Sequence, residues 1–135
     1  MSKYLNPREF LRIGGIVLIA LGVVGFIAWY ATGMKTNSVF YLDNGENFAH
    51  IVLGIAGVVL GFGLGSQTAL LRLVATAVGL ISLFFGIYGF MVAGNPIPNT
   101  FGVGNLENPL DNLLHLAVAL WALASAFGKV PAVAK

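Results

Sequence analysis

From Ile13 to Met34 the chain carries no Asp, Glu, Lys, Arg or His. At 1.5 Å per residue a helix needs about 20 residues to cross the roughly 30 Å of hydrocarbon in a bilayer, and this run is long enough. A helix facing water would interrupt such a run with charge on its outer side. The same poverty of charge extends over all 135 residues, of which 58% are hydrophobic and 9% charged. Soluble domains carry about 25% charged residues, so lipid is the solvent this chain is built for. The first apolar stretch also exceeds the about 15 residues of a secretory signal, and it reads as a retained span rather than a cleaved leader.

Composition excludes several classes of function. The net charge of +2 rests on seven scattered Lys and Arg, which form no phosphate-tracking patch, so no nucleic-acid partner is expected. The absence of Cys rules out disulfides, thiolate metal sites and a Cys nucleophile, and leaves the redox compartment undetermined.

Capping residues divide the chain into four helices, at about 7–32, 44–62, 67–93 and 109–127. Asn6 caps the first, with Pro7 and Glu9 in its opening turn and Gly33 as its stop. Asp43 caps the second, with Glu46 three residues on, and Gly63-Leu64-Gly65 ends it. Ser66 caps the third, which stops at Gly94-Asn95-Pro96. Asn108 caps the fourth, Pro109 opens it and Asp111 stands third, while Gly128-Lys129-Val130-Pro131 closes it. The expected fold is an all-α integral membrane protein, a four-transmembrane-helix bundle in one domain. The second and fourth helices only just span a bilayer, and the first and third exceed it and tilt or protrude.

Lys3, Arg8, Arg12, Arg72, Lys129 and Lys135 fall on the side holding both termini, and only Lys35 falls opposite. Both termini are therefore expected in the cytoplasm. Asp43, Glu46, Glu107 and Asp111 lie on the outer side, with only Glu9 inside. The outer loops, Met34 to Leu42 and Gly94 to Glu107, contain Phe40, Tyr41 and Phe101 and read as compact caps in the headgroup region. Trp29, Tyr30, Tyr88 and Phe90 read as interfacial anchors, with a stacking site for a pigment or lipid as the other reading.

The chain repeats itself. Glu46-Asn47-Phe48-Ala49-His50-Ile51 aligns with Asp111-Asn112-Leu113-Leu114-His115-Leu116 at a spacing of 65. The odd helices align at a spacing of 60, Leu11-Arg12-Ile13 on Leu71-Arg72-Leu73 and Asn6 on Ser66, which leaves the second outer loop longer by 5 residues. The repeats are 6–65 and 66–130, two helices each, so the copies run parallel about an axis along the membrane normal. Gly54, Gly57 and Gly61 on the second helix, and Ala117, Ala119, Ala122, Ala124, Ser125 and Ala126 on the fourth, offer small faces for close helix approach. Gly22-x-x-Gly25 in the first helix adds little to this.

His50 and His115, the only histidines, occupy equivalent repeat positions, each on one helical face with an acid four residues earlier and an Asn three earlier. Three readings follow. The leading one is structural: Glu46, Asn47, His50, Asp111, Asn112 and His115 form an interhelical polar seam that locks the halves together. The second is ligation, in which the two imidazoles and two carboxylates hold a divalent metal, or either His is the axial ligand of a haem or chlorophyll-type pigment. Against it, acid-x-x-x-His is a weaker pattern than the Glu-x-x-His of di-iron bundles, and no metal site is assigned. The third is a proton or solute path, for which the odd helices offer only Thr76 and Ser82. No catalytic residue is assigned: no Ser, Lys or Tyr stands beside a His at nucleophile spacing, and Gly61-x-Gly63-x-Gly65 is a helix turn, not a phosphate loop.

On the stretches Asn108-Pro-Leu-Asp-Asn-Leu-Leu-His-Leu-Ala-Val-Ala-Leu and Asn47-Phe-Ala-His-Ile-Val-Leu-Gly-Ile-Ala-Gly, the chain resembles a family of small four-span bacterial membrane proteins defined as a domain of unknown function. The resemblance covers nearly the whole chain and implies a topology and a bacterial inner membrane, but no activity. The expected function is a non-catalytic accessory or scaffolding subunit of a membrane complex, with bound lipid and other integral membrane subunits as partners. The alternatives are a cofactor-ligating subunit and a small transporter or channel component.

Overall fold

The computed structural model describes residues 4–33, 41, 43–65 and 67–130, and it is all-α. Its helices are α1 (Pro7–Thr32), α2 (Asn44–Gly63), α3 (Thr68–Val92) and α4 (Leu110–Ala126). The first three are long and apolar enough to cross a membrane, and α4, at 17 residues, is apolar but shorter. Lys3, Lys35, Phe40, Leu42, Ser66, Pro131 and Lys135 lie outside the described residues.

Local chemistry sets the helix ends. Asn6 Oδ1 accepts the Glu9 N–H at 3.1 Å, and Gly33 closes α1 in the left-handed conformation at φ 58°. Asp43 and Glu46 form a reciprocal capping box on α2, the Asp43 carboxylate accepting the Glu46 N–H at 2.9 Å and Glu46 Oε2 accepting the Asp43 N–H at 3.2 Å. The start of α4 departs from expectation. Pro109 occupies the cap position and no side chain caps the helix. Asn108 turns its Oδ1 to the Asn112 side-chain amide at 3.2 Å, and the carboxylate of Asp111 accepts the Glu107 N–H at 3.1 Å.

The helices pack in two antiparallel pairs, α1 with α2 and α3 with α4. In the first pair the backbones nearly touch: a Cβ on Gly15 would stand 2.7 Å from the Gly54 carbonyl oxygen, and one on Gly54 would stand 2.7 Å from that of Gly15. Nearer the other end of the pair, a Cβ on Gly22 would meet the Asn47 carbonyl at 2.6 Å, and one on Gly25 would overlap Asn47 Oδ1. The second pair repeats the pattern, with Gly79 against Leu123, Gly86 against Leu116 and Gly89 against Asn112 Oδ1. Gly22-x-x-Gly25 is thus the surface on which α2 seats, and not the minor feature its sequence suggests.

These contacts correct the repeat register. Gly15, Gly22 and Gly25 correspond to Gly79, Gly86 and Gly89 at a spacing of 64, not 60. Arg8 and Arg72 obey the same spacing, donating to the carbonyls of Gly65 and Gly128 just beyond the ends of α2 and α4. The Leu-Arg match at 60 is a coincidence within apolar sequence, whereas the glycines are held to their spacing by the helix crossing. With the even helices at 65, the second loop is longer by one residue only.

The pairs meet in an apolar cluster near the start of α1 and the end of α4: Phe10, Leu11, Leu71, Ala75, Ala122 and Ala126, with Trp121 edge-on to Phe10 at 4.8 Å. The outward face is strongly apolar, Tyr30, Leu120 and Met91 each being more than 70% exposed.

Gly25→Ala and Gly89→Ala are each expected to destabilise the protein by about 1–3 kcal/mol, the usual cost of overpacking a tight contact. Gly63→Ala, whose Cβ would meet nothing within 4 Å, should leave stability unchanged. Thermal unfolding in a fixed detergent, followed by circular dichroism, checks the contrast.

Candidate functional site

The chemistry of the chain collects where α2 and α4 begin. The loop between α3 and α4 folds over this end: Asn99 Oδ1 accepts the Leu106 N–H at 2.9 Å while its amide donates to the Leu106 carbonyl at 3.2 Å. Phe101 stacks on Tyr88 with centroids 5.0 Å apart and planes 7° apart, and Tyr88 stacks on Phe84. Tyr88 therefore anchors a loop, and Trp29 meets buried Tyr41 with ring centroids 5.5 Å apart and planes tilted by 56°.

This folding carries Asn105 and Glu107 to the first turn of α2. The Asn105 N–H donates to Asp43 Oδ2 at 3.1 Å, joining the second pair to the first. Its side-chain amide donates to Glu107 Oε1. Glu46 from α2, Glu107 from the loop and Asp111 from α4 then place carboxylate oxygens within 4.8 Å of one another. Burial, followed by the Asp111 carboxyl and the charge of Glu46, pushes the Glu107 carboxyl up to about 9, with the Asn105 amide opposing. Among the described residues the Arg and Lys side chains lie at the opposite helix ends, where Arg8, Arg12 and Arg72 donate to the carbonyls of Gly65, Gly61 and Gly128.

The six residues expected to form a seam separate into three kinds. Glu46 and Asp111 do meet across the pairs. Asn47 and Asn112 are instead buried at the crossing within their own pairs, against Gly25 and Gly89. A carboxamide seats there because a glycine opposite leaves room for it.

The histidines sit one turn deeper. His115 Nδ1 lies 2.9 Å from the Asp111 carbonyl oxygen, and since a carbonyl only accepts, Nδ1 carries a proton and Nε2 is left free of that bond. The ring also lies 5.9 Å from that of Phe85. Among the described residues His50 Nδ1 is buried without a hydrogen-bond partner. Neither imidazole belongs to the carboxylate set.

No family model, curated protein or solved structure matches this chain.

Sequence reasoning placed Glu107 on the outer side without assigning it to a site, and it passed over Asn105. The available signal was the loop itself, with Asn99, Asn105 and Asn108 close to an acid. The folded chain retains the Glu107 proton over a pH range in which the unfolded chain, at the ordinary 4.5, has lost it. Stability is therefore expected to fall as pH rises from about 4.5 towards 9, because the native state binds the extra proton. Thermal melts across this range in chelator-containing detergent should show that slope, and Glu107→Gln should make it shallower.

Proposed function

We propose that the chain is an integral protein of a bacterial inner membrane, spanning it four times as a tandem repeat of helix pairs with both termini cytoplasmic, and that it serves as a non-catalytic accessory or scaffolding subunit. The observation that carries this reading is the outward face. Ile27 on α1, Leu53 on α2, Leu73 on α3 and Leu120 on α4 are all at least 60% exposed, which suits lipid or apolar neighbours and not water. At about 25 Å, α4 is short for a span, and the exposed apolar Phe127 just beyond its end extends its apolar length. The positive residues at the end opposite the carboxylates support the orientation. The glycine crossings favour a rigid framework, since close backbone packing is the main source of association once lipid removes the hydrophobic drive.

The ligand-holding alternative draws support from His115, whose Nδ1–H donates to a backbone carbonyl as in many ligating histidines, leaving Nε2 for a metal or macrocycle. A Soret or near-infrared band in gently purified protein that disappears in His115→Ala would favour that role. A featureless spectrum would remove it.

The absence of Cys makes topology directly testable. In intact spheroplasts an impermeant maleimide should label Val103→Cys and should reach Lys129→Cys only after lysis. The reverse pattern would invert the orientation. Blue-native electrophoresis of mildly solubilised membranes should show the chain in an assembly larger than its own micelle, and migration alone would end the subunit reading.

A further inference from the structure

The basic end of the molecule holds two cations that no carboxylate side chain answers. The chain has 5 Asp and Glu residues. Asp43, Glu46, Glu107 and Asp111 stand at the opposite helix ends, and Glu9 is ion-paired with Arg12 at 3.0 Å. Arg12 also lies over the Phe62 ring, 4.2 Å from its centroid, and Arg8 is 6% exposed. Among the described residues that leaves Arg72 and Lys129, both exposed. The fold brings them together. Arg72 Nη2 donates to the Gly128 carbonyl at 3.3 Å, so the guanidinium lies against the residue before Lys129. Gly128 is itself buried and fixed in place, since a Cβ on it would overlap the Leu5 carbonyl ahead of α1. The negative pole of α4 offsets about half a unit charge here, and the positive pole of α3, one turn from Arg72, restores about as much. Both positive charges therefore persist, with only a neutral carbonyl between them.

Taking the chain as an integral membrane protein, a reading on which this inference rests, we propose that Arg72 and Lys129 bind the phosphate of an anionic phospholipid whose acyl chains lie along the apolar side of α3 and α4. The bond to Gly128 uses one N–H of the guanidinium and leaves the rest of its planar fork for phosphate oxygens. Lys129 adds a point charge on a flexible stem. The apolar surroundings match the rest of such a lipid. Leu73, next to Arg72, is 64% exposed, and Phe127, two residues before Lys129, is 77% exposed. Cations and bare apolar side chains thus adjoin at the helix ends, as head group and acyl chain adjoin in a phospholipid. A zwitterionic head group carries its own cation beside the phosphate, so an anionic one is the better complement to two unanswered charges. The first pair offers no equivalent, because Arg8, at the position of Arg72, is buried and donates to the Gly65 carbonyl. One such lipid per chain follows.

The test presents the full chain in detergent with an equimolar mixture of phosphatidylglycerol and phosphatidylcholine of matched acyl chains, and counts the retained lipid by native mass spectrometry. About one phosphatidylglycerol per chain should be retained, preferred over phosphatidylcholine about tenfold. Arg72→Gln combined with Lys129→Gln should cut the preference to less than about twofold with unchanged helical circular dichroism, since Gln keeps a donor for the Gly128 carbonyl. If that variant fails to fold, Lys129→Gln alone, exposed beyond the end of α4, should still lower the preference about threefold. Lys3→Gln combined with Lys135→Gln removes the same charge and should leave the preference intact. No preference in the native chain, a preference that survives the Arg72 and Lys129 substitutions, an equal loss in the Lys3 and Lys135 variant, or displacement of the lipid by inorganic phosphate at equal concentration would each overturn the proposal. Flotation with phosphatidylcholine vesicles separates the two readings: a chain that floats without preferring phosphatidylglycerol keeps its place in the membrane and loses this site, and one that does not float loses both.

Discussion

The structure depends on two missing methyl groups. Gly25 and Gly89 let the carboxamides of Asn47 and Asn112 lie against the backbone of the partner helix, where a Cβ would overlap them. Lipid tails are as apolar as the side chains, so nothing but close packing and polar contacts holds membrane helices together. Once an Asn is seated at the crossing, the depth and rotation of its helix are set. The acid one residue earlier is brought to the end of the pair, and the His three residues later is carried one turn inward on the same face. The acid-Asn-x-x-His pattern is thus a geometric device centred on its Asn.

Four helices and their apolar character were legible, because charge-free runs and capping residues follow directly from hydrocarbon thickness and backbone hydrogen bonding. The duplication of the His motif was legible for the same kind of reason, since polar residues stand out in apolar sequence. The role of Asn47 and Asn112 was not. Their partners are glycines, which carry no side-chain signal, and Gly22-x-x-Gly25 looks ordinary where glycine is abundant. The Leu-Arg match at 60 hides the register of the odd helices, which Arg8 and Arg72 mark by each reaching a carbonyl just beyond the end of the neighbouring even helix. The contribution of Asn105 and Glu107 depends on how a long loop folds back, and hydrophobic periodicity carries no information about that.

The two ends of the molecule handle helix polarity differently. At one end guanidinium groups donate to carbonyls at the ends of α2 and α4, where the negative pole of each dipole lies. At the other, carboxylates stand at the positive poles of the same helices. Each placement favours its own helix. The acidic end also draws like charges from both pairs together, so there the two halves sense one another electrostatically, while the apolar cluster around Leu71 and Phe10 joins them regardless of charge.

The halves also differ in a way the shared motif conceals. Gly54, Gly57 and Gly61 in the first pair correspond to Ala119, Ala122 and Ala126 in the second, one methyl added at each crossing position. The first pair has no room for those methyls, since a Cβ at Gly54 would collide with the Gly15 carbonyl and Ile19, whereas in the second pair the three alanines are almost wholly buried. The two pairs are therefore not interchangeable: α4 grafted in place of α2 would not seat on α1. The molecule is in effect a heterodimer of its own halves, with a tight member and a wider one.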